Sequence, residues 1–296
     1  MRDAFLQDFI HRSPQVIMLK QKFSQPNTAV PTAERMSMVV SIILIGLALY
    51  SIIDLPTRTF IVSWLGLSAT ITLSVRVLVA MLLGGLALSG TGAVVHGNLQ
   101  PRTRYTTPFW VNPTLLVIFS TLILARLGSP LHWAIGLLTT GVLLWLTIAA
   151  ENTLSLEPAP PPKTMLWAQI WSQGMSYALL LNFSLLIFAA AMASGWRVAL
   201  LTAIAGMLGA SVLRVRVPAT AYAPFAAIIA LAVGQLVWVF TFLPISALQA
   251  SLLLPAIFHV ILGIAKARLE RTLSVRVFVE YGIVLAASMM VVWWLG

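Results

Sequence analysis

At 296 residues, with 59% hydrophobic and 9% charged residues and a mean hydropathy of +0.95, the chain is too apolar for a soluble domain and reads as an integral membrane protein. Its 18 Lys and Arg against 8 Asp and Glu give +10. In a membrane protein that excess belongs to loops flanking helices and facing anionic headgroups, so it does not call for nucleic acid. The absence of cysteine excludes disulfides, thiolate metal sites, iron-sulfur ligation and cysteine nucleophiles.

The first 30 residues hold no apolar h-region, so no cleavable signal peptide is expected and the first hydrophobic run serves as the insertion signal. Residues 1–36 read as a cytoplasmic tail. Ala4, Phe5, Leu6, Phe9 and Ile10 recur at helical spacing opposite Arg2, Asp3, Asp8 and Arg12. That pattern fits either an amphipathic helix lying in the membrane interface or a single helical turn in a disordered segment. Pro14, Pro26 and Pro31 interrupt whatever forms.

A membrane-crossing helix needs roughly 17–25 apolar residues. Uncharged runs of that kind predict a first membrane half over 37–150. It comprises Ser37 to Ile53, the long run Phe60 to Val95 interrupted only by Arg76, and, after a polar loop from His96 to Pro113, the pair Thr114 to Ala125 and His132 to Ala150. Arg126, Gly128, Ser129 and Pro130 mark the turn within that pair. Glu151 to Lys163, with Pro158, Pro160, Pro161 and Pro162, reads as a semi-rigid extended linker. The linker, 151–166, divides the first half from a second, 167–296. The second half is expected to cross at Trp167 to Ala193, Val198 to Leu213, Phe225 to Leu243, Ile245 to Ala265 and Val277 to Leu295. Trp167, Trp171, Trp293 and Trp294 stand at span ends, where indole rings settle at headgroup level. The expected fold is an all-α polytopic bundle.

The count is nine or ten, depending on whether Phe60 to Val95 crosses once or twice. A single crossing puts 14 Lys and Arg on the side of the tail and three outside, Arg58, Arg126 and Arg197. A double crossing divides them eight against ten and violates the positive-inside bias. Yet 36 residues exceed one comfortable span, and a partial, re-entrant or interfacial piece reconciles the two. Cysteines introduced at Arg104 and Lys266 are therefore expected to label from the same side; opposite labelling would refute this topology.

Two internal echoes stand out. Thr72 to Val79 (TLSVRVLV) and Thr272 to Val279 (TLSVRVFV) match at seven of eight positions, and the pattern LLxxFSxxIxA occurs at Leu115 to Ala125 and at Leu179 to Ala189. Repeats of this sort underlie many transporter folds; coincidence in a reduced apolar alphabet is the alternative. The most distinctive stretch is C-terminal: PATAY at Pro218 to Tyr222, FLPIS at Phe242 to Ser246, and ILGIAKARLERTLSVRVFVEYG at Ile261 to Gly282. This arrangement resembles an uncharacterised family of bacterial multi-pass membrane proteins, a domain of unknown function, over roughly the last 80 residues. The resemblance implies an inner-membrane helical bundle and brings no activity.

An ionisable side chain within a span costs at least a few kcal/mol, so each is a functional candidate. Glu280 lies four residues after Arg276, where the two can pair on one helix face. His259, beyond Pro255, reads either as a ligand or proton carrier or as a donor to a backbone carbonyl. Asn182 and Gln235, near span middles, are expected to hydrogen-bond a neighbouring helix. Arg76 is costly if the long run crosses once and an ordinary loop charge if it crosses twice. Gly84, Gly85, Gly90, Gly92, Gly206 and Gly209 offer small surfaces for close helix packing. No phosphate loop, HExxH, GxSxG or paired carboxylate occurs, and no cofactor or metal is expected. The sequence favours a non-enzymatic accessory or scaffold subunit with membrane-protein partners or a second copy of itself. A small-molecule or lipid transporter and a lipid-modifying enzyme using Arg102, Arg104 and Tyr105 are the alternatives.

Overall fold

Backbone groups in hydrocarbon have no water to bond, so apolar runs of this length fold as helices. The computed structural model describes residues 32–52, 60–64, 67–71, 75–95, 108–156, 161–190, 192–214 and 219–294. Among them are nine helices: α1 (Thr32–Ile52), α2 (Val75–Val95), α3 (Val111–Leu124), α4 (Pro130–Leu154), α5 (Pro162–Ala189), α6 (Ser194–Leu213), α7 (Ala219–Phe240), α8 (Ala247–Leu269) and α9 (Val275–Trp294). All but α3 are long and apolar enough to cross a membrane. The fold is a helical bundle, and the protein is a multi-pass membrane protein. The tail expected over 1–36 lies outside the described residues except for the first residues of α1.

The long run from Phe60 supplies one helix, not two. Before α2 the chain forms an antiparallel hairpin, β1 (Phe60–Trp64) with β2 (Leu67–Ile71), in which Phe60 pairs with Ile71 and Trp64 with Leu67. The lower helix count therefore holds. Arg76 is neither embedded at mid-membrane nor in a loop between two crossings: it is the second residue of α2 and is exposed.

Two helix boundaries differ from the expected ones because proline was read too strictly. Pro113 sits in the first turn of α3, where its missing N–H would have no intrahelical partner anyway, so the helix opens at Val111 rather than Thr114. The linker is also shorter than 151–166. Helix α4 runs through Leu154 and α5 opens at Pro162, leaving Glu151 inside a helix. Residues 36–296 form one compact unit, undivided at the proline segment.

Proline does not break α8 either. Pro244 lies in the connection before it, and Pro255 lies within its continuous run. Having no N–H, Pro255 leaves the carbonyl four residues back, that of Ser251, without its usual partner. The Ser184 hydroxyl of α5 lies 3.4 Å from that carbonyl, but its one hydrogen is better placed for Leu181 O of its own helix at 2.8 Å, so the neighbouring helix offers the freed carbonyl at most a weak, shared bond. At the start of α8, Ser246 of the FLPIS stretch accepts from the Gln249 N–H and Gln249 returns a bond to the Ser246 N–H, a reciprocal cap.

Contacts between helices fix their directions. Gly46 meets Leu83 and Gly90 meets Val39, so α1 and α2 are antiparallel; Gly206 meets Ala230 and Gly209 meets Ile229, so α6 and α7 are too. Gln249 bonds the Val292 carbonyl near one end of the α8–α9 pair, while Gly263 meets Tyr281 towards the other. Helices α3 and α5 are parallel: Phe119 stacks edge-on against Phe183 with centroids 5.6 Å apart, and Ser176 bonds Asn112. Each of these pairs is 64 residues apart, the offset of the LLxxFSxxIxA echo, so the two copies of that pattern lie side by side in register. The other echo opens helices of opposite direction, at Val75 and Val275. This alternation gathers Lys163, Arg214, Lys266, Arg268, Arg271 and Arg276 at one end of the bundle, hereafter the basic end, and puts Arg76, Arg126 and Arg197 at the other. Lys266 thus shares an end with the close of α2 at Val95 and the start of α3 at Val111, while Arg104 of the paired-label expectation lies outside the described residues.

Short α3, at 14 residues about 21 Å long, is enclosed by α2, α4, α5 and α6, and its first seven residues are all buried. Helix α5 packs on α3, α4, α6 and α8. These two helices carry the polar side chains described next.

Candidate functional site: two polar clusters on α5

The first cluster lies one turn inside the basic end, where α3, α4, α5 and α6 meet. Glu151, in the last turn of α4, is fully buried, and Arg214, just past α6, is nearly so, with side-chain exposures of 0% and 4%. Arg214 Nη2 donates to Glu151 Oε2 in a buried ion pair. Oε1 accepts from Asn112 Nδ2 and from Ser172 Oγ, both at 3.2 Å. Asn112 Oδ1 in turn accepts from Ser176 Oγ at 3.0 Å. A carboxylate can only accept, so the amide of Asn112 must present its NH₂ to Glu151 and its oxygen to Ser176. Both carboxylate oxygens are satisfied, which is what allows an ionised glutamate to sit where no water reaches.

The guanidinium is satisfied less completely. Its Nη1 is buried with no hydrogen-bond partner among the described residues. Burial pulls the Arg214 pKa below its ordinary value, with Tyr222 acting to hold it up. Tyr222, buried near the start of α7, belongs to the PATAY stretch.

The second cluster joins α5 to α8. Lys266 Nζ can only donate, and it does so to Gln173 Oε1 at 2.9 Å. Gln173 Nε2 therefore faces Tyr177, donating to its hydroxyl oxygen at 2.6 Å. The Tyr177 hydroxyl lies 2.8 Å from His259 Nδ1, with the direction of that bond set by the imidazole tautomer. Tyr177 and Tyr281 pack edge-on around the His259 ring at centroid distances of 5.4 and 5.5 Å.

The residues singled out from sequence are scattered relative to these clusters. His259 is in the second, bonded to a tyrosine rather than to a backbone carbonyl. Arg276 and Glu280 do pair, at 2.8 Å along α9, but both are exposed. Asn182 donates to Ala178 O of its own helix at 2.7 Å and not to a neighbour. Gln235 is exposed on α7. Of the three loop residues proposed for lipid chemistry, Arg102, Arg104 and Tyr105 all lie outside the described residues. Sequence reading missed Glu151, Asn112, Ser172 and Arg214, because the first two were assigned to linker and loop and the last to a basic turn. The available signal was that Asn112 and Glu151 each directly adjoin an apolar run. No group of three or more metal-ligating side chains occurs among the described residues.

No curated protein and no solved structure matches the chain. The resemblance confined above to the last 80 residues proves wider, since a family described as "Protein of unknown function (DUF5656)" matches from residue 55, before β1, to residue 295 at the end of α9. The chain belongs to that family.

Proposed function

We propose that the protein is a non-enzymatic accessory or scaffold subunit of a bacterial inner membrane, docked to a membrane-protein partner through α9. The observation that carries this reading is how little of α9 the chain itself covers. Only 6% of its apolar window is buried, against 22–44% for the other seven long helices, and among the described residues it packs chiefly on α8. Its exposed surface includes Ile283, Met290, Trp293 and Trp294 and the Arg276–Glu280 pair. A charged pair on a lipid-facing helix is better accommodated against a polar or oppositely charged neighbour than against acyl chains. The saturated Glu151 cluster supports the same reading: its carboxylate is committed to three donors and is not available as a base. The excess of basic residues at one end supports placing that end in the cytoplasm.

The test uses the native absence of cysteine. Single cysteines at Ile283 and Met290, carrying a photoactivated crosslinker in native membranes, are expected to give an adduct of defined mass. Cysteines at Leu131 and Leu138, equally exposed on α4, are expected to give none. Monomer alone from all four positions would overturn the scaffold reading in favour of transport, for which the hydrogen-bonded Tyr177–His259 pair offers a titratable group inside the bundle.

A further inference from the structure

At the basic end, between α7 and the turn joining α8 to α9, a cavity of about 510 Å³ is lined by Phe225, Arg268, Leu269, Arg271 and Leu273. We propose that this pocket binds the phosphate of an anionic phospholipid headgroup, with the first part of an acyl chain against Phe225 and Leu273.

Three observations lead there. Two arginines, both exposed, line one pocket, and the planar fork of arginine matches phosphate oxygens in pairs. The remaining lining is apolar, which suits a ligand with a hydrocarbon portion and gives nothing to a fully hydrated anion. The third is the backbone of Arg271, whose φ is +56°. That left-handed conformation favours glycine. It is imposed by the helix-ending turn in which the Thr272 N–H bonds Ala267 O at 2.9 Å and the Arg271 N–H bonds Arg268 O at 3.2 Å, the position where glycine is usual. The chain keeps a long cation there against local preference, and such outliers cluster at ligand sites. Glu270, between the two arginines in the chain, is exposed and does not line the pocket. Basic pockets between membrane helices at the basic face are where acidic headgroups bind.

The full chain in mild detergent is titrated with phosphatidylglycerol or phosphatidylcholine, with and without excess inorganic phosphate, and bound lipid is read by native mass spectrometry. Phosphatidylglycerol is expected to bind about twenty-fivefold more weakly to the Arg268→Ala/Arg271→Ala variant, from roughly fivefold per arginine. Phosphatidylcholine is expected to distinguish the two proteins little. Leu273→Trp, which fills the pocket and keeps both charges, is expected to lose the acidic lipid as well. Undiminished phosphatidylglycerol binding in either variant overturns the proposal. Displacement of the lipid by inorganic phosphate alone would reassign the site to a soluble anion and overturn it equally.

Discussion

Arg214→Ala is expected to destabilise the bundle by about 3–5 kcal/mol, the range for removing one partner of a buried ion pair. The loss comes less from the missing attraction than from Glu151, left fully buried with only Asn112 and Ser172 to offset its charge. Thermal unfolding in mild detergent measures it. Glu151→Leu combined with Arg214→Met should recover most of the loss, because replacing both charges by apolar groups of similar size removes the desolvation cost along with the attraction. Arg214→Met, Glu151→Leu and the double variant form a cycle whose coupling is expected to be at least about 2–3 kcal/mol. Additive losses would mean that the two charges do not sense each other. A loss below about 1 kcal/mol for Arg214→Ala would mean that water reaches the pair.

Gly263→Ala is expected to pry α9 from α8. A methyl group at Gly263 would fall on the far end of the Tyr281 ring, a bulky group that must shift to make room, and overpacking of this kind costs about 1–3 kcal/mol. Because α9 packs chiefly on α8 among the described residues, the damage should be local. A cysteine at Leu285, which packs against the core, should label faster in Gly263→Ala than in the otherwise unchanged chain. Gly85→Ala is the matched control: nothing lies within 4 Å of its added carbon, and the gain in helix propensity should stabilise slightly, by up to about 1 kcal/mol. Equal labelling rates in all three proteins would remove close α8–α9 packing as the reason for glycine at 263. In the scaffold reading, Gly263→Ala should also weaken the crosslink from Ile283, since a displaced α9 presents its outer face differently.

The glycines illustrate where sequence reading stops. Gly84, Gly90, Gly206 and Gly209 were legible as small packing surfaces, and each meets a side chain of another helix; Gly85, in the same pattern, meets nothing. A run of small residues specifies that close approach is available, not which member faces a partner. Gly263 carried no such signal, because its partner Tyr281 lies across the α8–α9 turn.

Composition and run length by themselves determined that the chain is a multi-pass helical membrane protein, roughly where its helices lie, and which ends carry the basic residues. Those properties are local: twenty apolar residues need a helix wherever they sit. The spacing of Arg276 and Glu280 likewise predicted their pairing, because three to four residues bring side chains together on any helix. Only the tertiary structure decided that Glu151 is buried and that Asn112, Ser172 and Arg214 surround it, since these four come from α4, α3, α5 and the end of α6. It also decided that His259 answers to Tyr177 and, through Gln173, to Lys266. A charge at a helix end looks the same in sequence whether it meets solvent or another helix. The difference is made by the short loops and alternating directions that bring the basic ends together, and by α5 passing between them.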